Sequence, residues 1–127
     1  MKPSSGVKWI AIVAIIGTGV IHLAEARSAF GDAGYKGVLF VANGAAALGA
    51  AIGIYRNRRE WGWVLGLLVS TGAMLGYVAS RTVGLPGLKP EPENWFEPMG
   101  VASLVCEGVF VLLFLVAGRA AGSAKGP

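Results

Sequence analysis

MGVASLVCEGVFVLLFLVAG, residues 99–118, is a run of twenty residues whose only charged side chain is Glu107. At about 1.5 Å per residue such a run spans about 30 Å as a helix, the thickness of a bilayer's hydrocarbon core. Glu107 then falls well below either surface, where a charge costs at least ~2.5 kcal/mol on the mildest scale, so a partner or a proton has to neutralise it. Working outward, three further apolar runs at 9–26, 37–55 and 61–80 have similar lengths. Between them lie segments that look like ends: residues 27–36 with Arg27, Asp32 and Lys36, residues 56–60 with Arg56, Arg58 and Arg59, and residues 81–98 with Pro86, Pro90, Pro92 and Pro98. Proline and glycine stop helices there. The expected fold is all-α, a four-helix transmembrane bundle with up-down-up-down topology, forming one integral-membrane domain over residues 1–127.

Composition agrees. Hydrophobic residues make up 54% of the chain and charged ones 14%, with a mean hydropathy of +0.62, which excludes an ordinary water-soluble globule. One cysteine, Cys106, excludes an intrachain disulfide and a cysteine-cluster metal site. One histidine, His22, excludes a bis-histidine haem held by a single chain. No cofactor is named by any motif, and no basic cluster with interleaved aromatics points to nucleic acid.

The basic residues set an orientation. Lys2, Lys8, Arg56, Arg58, Arg59, Arg119 and Lys125 fall on one side of the proposed membrane, and Arg27, Lys36, Arg81 and Lys89 on the other. By the positive-inside rule both termini are expected in the cytoplasm, in a multi-pass protein of the inner membrane. The opposite side carries Glu25, Asp32, Glu91, Glu93 and Glu97. A pI of about 9.6 thus reads as topology. Lys2, Lys8, the apolar run after them and Ala24-Glu25-Ala26 imitate a cleavable signal peptide. An Ala-x-Ala triplet is common in alanine-rich membrane helices, and the segment is expected to be retained as the first span.

Six polar side chains stand out in or at the ends of the spans: His22, Glu25, Asn43, Tyr77, Arg81 and Glu107. In an up-down bundle all six are expected in the outer half, forming a shared polar pocket in which Glu107 pairs with Arg81 or His22. A purely structural role, fixing helix rotation through interhelical hydrogen bonds, is the competing reading. His22, Glu25 and Glu107 together would offer one nitrogen and two carboxylates to a divalent metal, a weak set beside the paired histidines and multiple carboxylates of di-metal bundles. Small residues at four-residue spacing, Gly44 to Gly53 in the second run and Gly62, Gly66, Ser70, Gly72 and Gly76 in the third, allow close helix packing, within the bundle or between subunits. Trp9 beside Lys8, and Trp61 and Trp63 beside Arg58 and Arg59, read as interfacial anchors. In the outer loop, residues 81–98, Trp95 and Phe96 between acidic neighbours read as contacts for a partner subunit or for the membrane interface.

At His22-Leu23, at Tyr77-Val-Ala-Ser-Arg-Thr-Val-Gly-Leu-Pro86 and at Glu97-Pro-Met-Gly100 the chain resembles a loosely defined group of small bacterial four-span membrane proteins. That resemblance covers most of the chain and implies fold and location only. The single membrane glutamate is also similar to that of small multidrug-resistance exporters, but those carry it in the first span and show little charge bias. Three functions follow as expectations. The leading one is a non-catalytic accessory subunit of a larger membrane complex, since no nucleotide motif or nucleophile–base pair is present. The others are a small proton-coupled transporter using Glu107, alone or as a homo-oligomer, and a metal or cofactor site at His22 with Glu25 and Glu107.

Overall fold

A computed structural model describes residues 4–124, so Lys2 and Lys125 of the charge count lie outside the described residues. The described chain is all-helical: α1 (Ser5–Asp32), α2 (Gly34–Tyr55), α3 (Arg59–Arg81), a single 3₁₀ turn at Pro92–Asn94, and α4 (Pro98–Ala124). Each long helix contains a stretch apolar enough to cross a membrane, with mean hydropathies of 1.9, 1.9, 1.6 and 2.4 in chain order. The protein is an integral multi-pass membrane protein with the expected four-helix architecture. α1 packs chiefly on α2 and α4, and α3 on the same two, while α1 and α3 barely touch across the diagonal. The four helices therefore close into a ring in which every neighbouring pair is antiparallel.

Lipid is as apolar as leucine, so burial of apolar area does not hold such helices together; close packing and interhelical hydrogen bonds do. The sequence supplies small residues for this. Gly19 of α1 lies against Gly44 and Ala47 of α2, where an added Cβ would come within 2.9 Å of the Ala47 Cβ. Gly53 of α2 and Gly62 of α3 meet backbone to backbone, and a Cβ on Gly62 would stand 2.8 Å from the Gly53 carbonyl carbon. Gly66 receives the ring of Phe110 from α4. Gly72 and Gly76, at the same spacing on α3, have nothing within 4 Å of where a Cβ would sit. The small-residue repeat is thus used for packing only over the half of α3 that faces α2 and α4.

The connections explain where the helices end. Residues 27–36, expected to hold the end of the first span, are helical except for Ala33, an extended residue with φ −164° that both ends α1 and starts α2. No proline interrupts this segment, Phe30 packs over Gly37, and Lys36 pairs with Asp32 at 2.6 Å across the hinge. Both helices therefore run past the apolar span and turn sharply. After α2, Asn57 takes a left-handed conformation at φ 59°. The Arg58 and Asn57 amides donate back to the carbonyls of Gly53 and Ile54 at 2.8 and 3.1 Å, the hydrogen-bond pattern that commonly closes a helix at glycine or asparagine. α4 opens on Pro98 with Glu97 as its cap, the carboxylate accepting from the amides of Met99 at 3.2 Å and Gly100 at 2.7 Å. A carboxylate at a helix N-terminus is favoured both by the free amides and by the helix dipole.

Of the expected anchors, Trp9 and Trp61 are half exposed at the end where α1 begins and α2 hands over to α3. Trp63 departs from expectation. It is 1% exposed and packs on Phe110 and Phe114 with ring centroids 5.3 and 6.4 Å away. Two residues along a helix rotate a side chain by about 200°, so two neighbouring tryptophans cannot both face lipid.

Candidate functional site

Glu107 is the tenth residue of the apolar stretch Pro98–Ala117, about 14 Å along the helix axis from either end. It is 1% exposed. Its Oε2 accepts hydrogen bonds from the hydroxyls of Thr18 on α1, at 2.5 Å, and of Ser103 one turn earlier on α4. The two hydroxyl oxygens are 3.1 Å apart, so all three side chains form one triangle, with Thr18 fully buried. His22, one turn beyond Thr18, directs Nδ1 at the Thr18 carbonyl at 2.8 Å and lies 3.3 Å from the Thr18 hydroxyl. A carbonyl only accepts, so Nδ1 carries the proton and donates it to the Thr18 carbonyl, while the Thr18 hydroxyl, which donates to Glu107, stands within 3.3 Å of the same nitrogen. The imidazole is half-buried and leans on Phe40 of α2, centroids 5.1 Å apart.

α1 and α4 present this arrangement because each carries two polar residues four apart, Thr18 with His22 and Ser103 with Glu107, which an α-helix places on one face. Gly17 beside Cys106 lets the helices approach: a Cβ on Gly17 would meet the Cys106 sulfur at 2.9 Å. The other two helices add oxygen near the same height. Asn43 donates from Nδ2 to the Val69 carbonyl at 3.2 Å, and its Oδ1 and the Ser70 hydroxyl are buried without a hydrogen-bond partner among the described residues. Gly66 packs on Phe110 and Gly100 on Tyr77, and this antiparallel register brings Ser70 level with Cys106 and Glu107.

The six expected pocket residues are not brought together. Tyr77 and Arg81 form a second cluster at the end of α3. There the Arg81 guanidinium stacks 3.8 Å from the centre of the Tyr77 ring. Its Nε and Nη2 donate to the Asn94 carbonyl at 3.3 and 3.2 Å, and the Tyr77 hydroxyl donates to the Trp95 carbonyl at 2.6 Å. Tyr77 packs against Gly100, about 10 Å along α4 from Glu107. Arg81 is therefore spent on holding the loop, and the expected Glu107–Arg81 pair is replaced by hydroxyl hydrogen bonds. His22 joins Glu107 only through Thr18. Glu25 is half-buried and makes no side-chain hydrogen bond or ion pair among the described residues. The expected metal set His22, Glu25 and Glu107 does not converge: among the described residues no three histidine, cysteine or acidic side chains are grouped to hold an ion. On α1 it is Thr18 rather than Glu25 that meets Glu107 of α4.

Thr18 and Ser103 were not singled out from the sequence, and Ser70 only as a small residue for helix packing. The four-residue spacing of Thr18 to His22 and of Ser103 to Glu107 was the available signal, since a hydroxyl one turn from an ionisable membrane residue is a ready partner for it.

On the side of Glu107 away from His22 the interior is apolar. Phe110, Trp63, Ile15, Ile54 and Ala11 are buried there as one apolar cluster. Comparison of the chain with known protein families, with characterised proteins and with solved structures finds no match.

Proposed function

We propose that the chain is a small proton-coupled transporter of the bacterial cytoplasmic membrane, with both termini cytoplasmic and Glu107 as the group that takes up and releases the proton. The observation that carries this reading is the identity of Glu107's partners. A lysine or arginine would fix a carboxylate in its charged form. Serine and threonine hydroxyls serve both forms, donating to a carboxylate and accepting from the acid, so Thr18 and Ser103 support a change of state without moving. A proton passes between His22 and Glu107 through the Thr18 hydroxyl, 3.3 Å from Nδ1 and 2.5 Å from the carboxyl, when the Nδ1 hydrogen bond shifts from the Thr18 carbonyl to that hydroxyl; the route leads toward the end of the bundle where α1 meets α2. The aromatic and aliphatic packing around Trp63 and Phe110 blocks the other direction. Alternation between two sides then requires that plug to open, and a second copy of the chain would enlarge the solute path.

Infrared difference spectra of the protein in liposomes test this. A carboxylic-acid carbonyl band should appear on acidification and vanish on return to high pH, be missing in Glu107→Gln, and respond more slowly in His22→Phe. A carboxyl band indifferent to pH across the range in which the protein stays folded would make Glu107 a structural residue and defeat the proposal.

A second reading, a subunit of a larger membrane complex, is favoured by α4 and the loop before it. Only 17% of the α4 span is buried within the bundle, against 28–39% in the other three, and Phe96 beside it is 89% exposed. Trp95 by contrast is half-buried, its ring set edge-on to Tyr77 at 5.9 Å, which leaves Phe96 as the free aromatic of the pair. Phe96→Ala should then weaken a partner's binding by about thirtyfold, the factor for an anchor worth about 2 kcal/mol, with insertion unchanged. Gentle-detergent extraction from the native source provides the measurement. Recovery of the same partners with the variant would remove Phe96 from that role.

A further inference from the structure

We propose that the groove between the first half of α1 and the last turns of α2 binds one anionic glycerophospholipid, with an acyl chain in the groove and the phosphate at Lys8. Trp9, Ile12 and Ile16 line one wall and Ala51, Ile52 and Tyr55 the other, around a volume of about 290 Å³. From Trp9 to Ile16 it runs about 10 Å along the helix, most of the ~15 Å depth of one leaflet's hydrocarbon. Lipid-facing helix surfaces are apolar everywhere. This one differs in ending on a fixed cation.

The Lys8 ammonium sits over the mouth, 5.7 Å from the centre of the Tyr55 ring and 6.0 Å from that of Trp9, and these two rings meet edge to face at 5.9 Å. One of its N–H groups is given to the Asn57 side-chain oxygen at 3.1 Å, and Asn57 is itself locked by the turn that closes α2. An ammonium has three donors, so two are left for a phosphate. Arg56 and Arg58 are exposed on that same turn. No carboxylate pairs with any of the three: the ion pair found among the described residues, Lys36–Asp32, lies at the opposite end of the bundle. Positive charge held at the headgroup level, directly above an apolar slot, matches a lipid with a net negative headgroup. A zwitterionic lipid would bring its own ammonium against Lys8 and the two arginines. The groove also lies away from Glu107 and His22, so the assignment stands apart from the proton-coupled reading.

The experiment uses the full chain in phosphatidylcholine vesicles containing a minor share of lipid brominated on its acyl chains, either phosphatidylglycerol or phosphatidylcholine. Bromine quenches tryptophan on contact, and subtracting the Trp9→Phe signal isolates Trp9. A bound anionic lipid predicts several-fold stronger Trp9 quenching by the labelled phosphatidylglycerol. Lys8→Gln should lower that preference about fivefold, the factor for one basic residue near an anionic surface. Ile52→Phe, which keeps the face apolar but fills the slot, should abolish it in protein that remains monodisperse. Equal quenching by the two labelled lipids overturns the site. A preference that survives both Lys8→Gln and Ile52→Phe shows general attraction of the basic end for anionic lipid, and overturns it as well.

Discussion

Glu107→Lys is expected to remove the folded protein from the membrane fraction, whereas Glu107→Gln accumulates at close to the parental level. Glutamine keeps the length of the side chain and an oxygen that can accept from Thr18 and Ser103, so the triangle between α1 and α4 survives. Lysine places an ammonium in the same enclosed position, facing the Thr18 and Ser103 hydroxyls, with no carboxylate pairing at this site among the described residues. Its stem cannot carry the charge to the surface across about 14 Å of helix. The charge costs about 2.5–3.5 kcal/mol on the insertion scale, and forcing a longer side chain into a packed interior adds about 1–3 kcal/mol. Together these approach the whole stability of a small domain. Size-exclusion profiles of fluorescently tagged variants in mild detergent measure the outcome. A monodisperse Glu107→Lys protein at parental yield would falsify the buried placement of this residue.

The second large effect belongs to the crossing of α2 and α3. Gly62→Leu should cost about 3 kcal/mol or more, because even the first carbon of the new side chain would meet the Gly53 carbonyl carbon and the Ile54 nitrogen, each at 2.8 Å. Those are backbone atoms, and the helices have to separate to admit it. The matched control is Gly72→Leu on the same helix, where nothing stands within 4 Å of the added carbon and the side chain enters lipid. Thermal loss of monodispersity should fall to a clearly lower temperature for Gly62→Leu and stay near the parental value for Gly72→Leu. Equal shifts in both would mean that backbone contact at this crossing contributes little. The pair also separates the two four-residue registers of α3, Gly62-Gly66-Ser70 and Gly72-Gly76, which the small-residue spacing alone leaves equivalent.

Much of the architecture was legible before any coordinates. Four runs near twenty residues with almost no charge can only be helices in lipid, because an apolar solvent obliges each segment to satisfy its own backbone. Proline clusters and short polar breaks then fix how many there are. The exceptional character of Glu107 was legible for the same reason. At residues 27–36 the charged and glycine residues marked the end of one span and the start of the next, but not how little of the segment is non-helical. Charge ends a membrane span but not a helix, and α1 continues to Asp32 beyond the apolar stretch.

Sequence alone determined the all-α class, the four spans, the polar breaks between them and the presence of a costly carboxyl in the last. Tertiary structure decided which groups hydrogen-bond to it. Depth along a helix follows from counting residues, and that count had grouped Arg81 and Tyr77 with Glu107. Which face each helix turns inward depends on the packing of small residues on several helices at once: Gly17 against Cys106, Gly19 against Ala47, Gly53 against Gly62, Gly66 under Phe110. Those contacts rotate α1 so that Thr18 meets Glu107, and they carry Arg81 to the loop and Trp63 to the core. Rotation of a helix about its axis changes no local propensity, so no reading of one segment can supply it. It is fixed only when all four close into a ring.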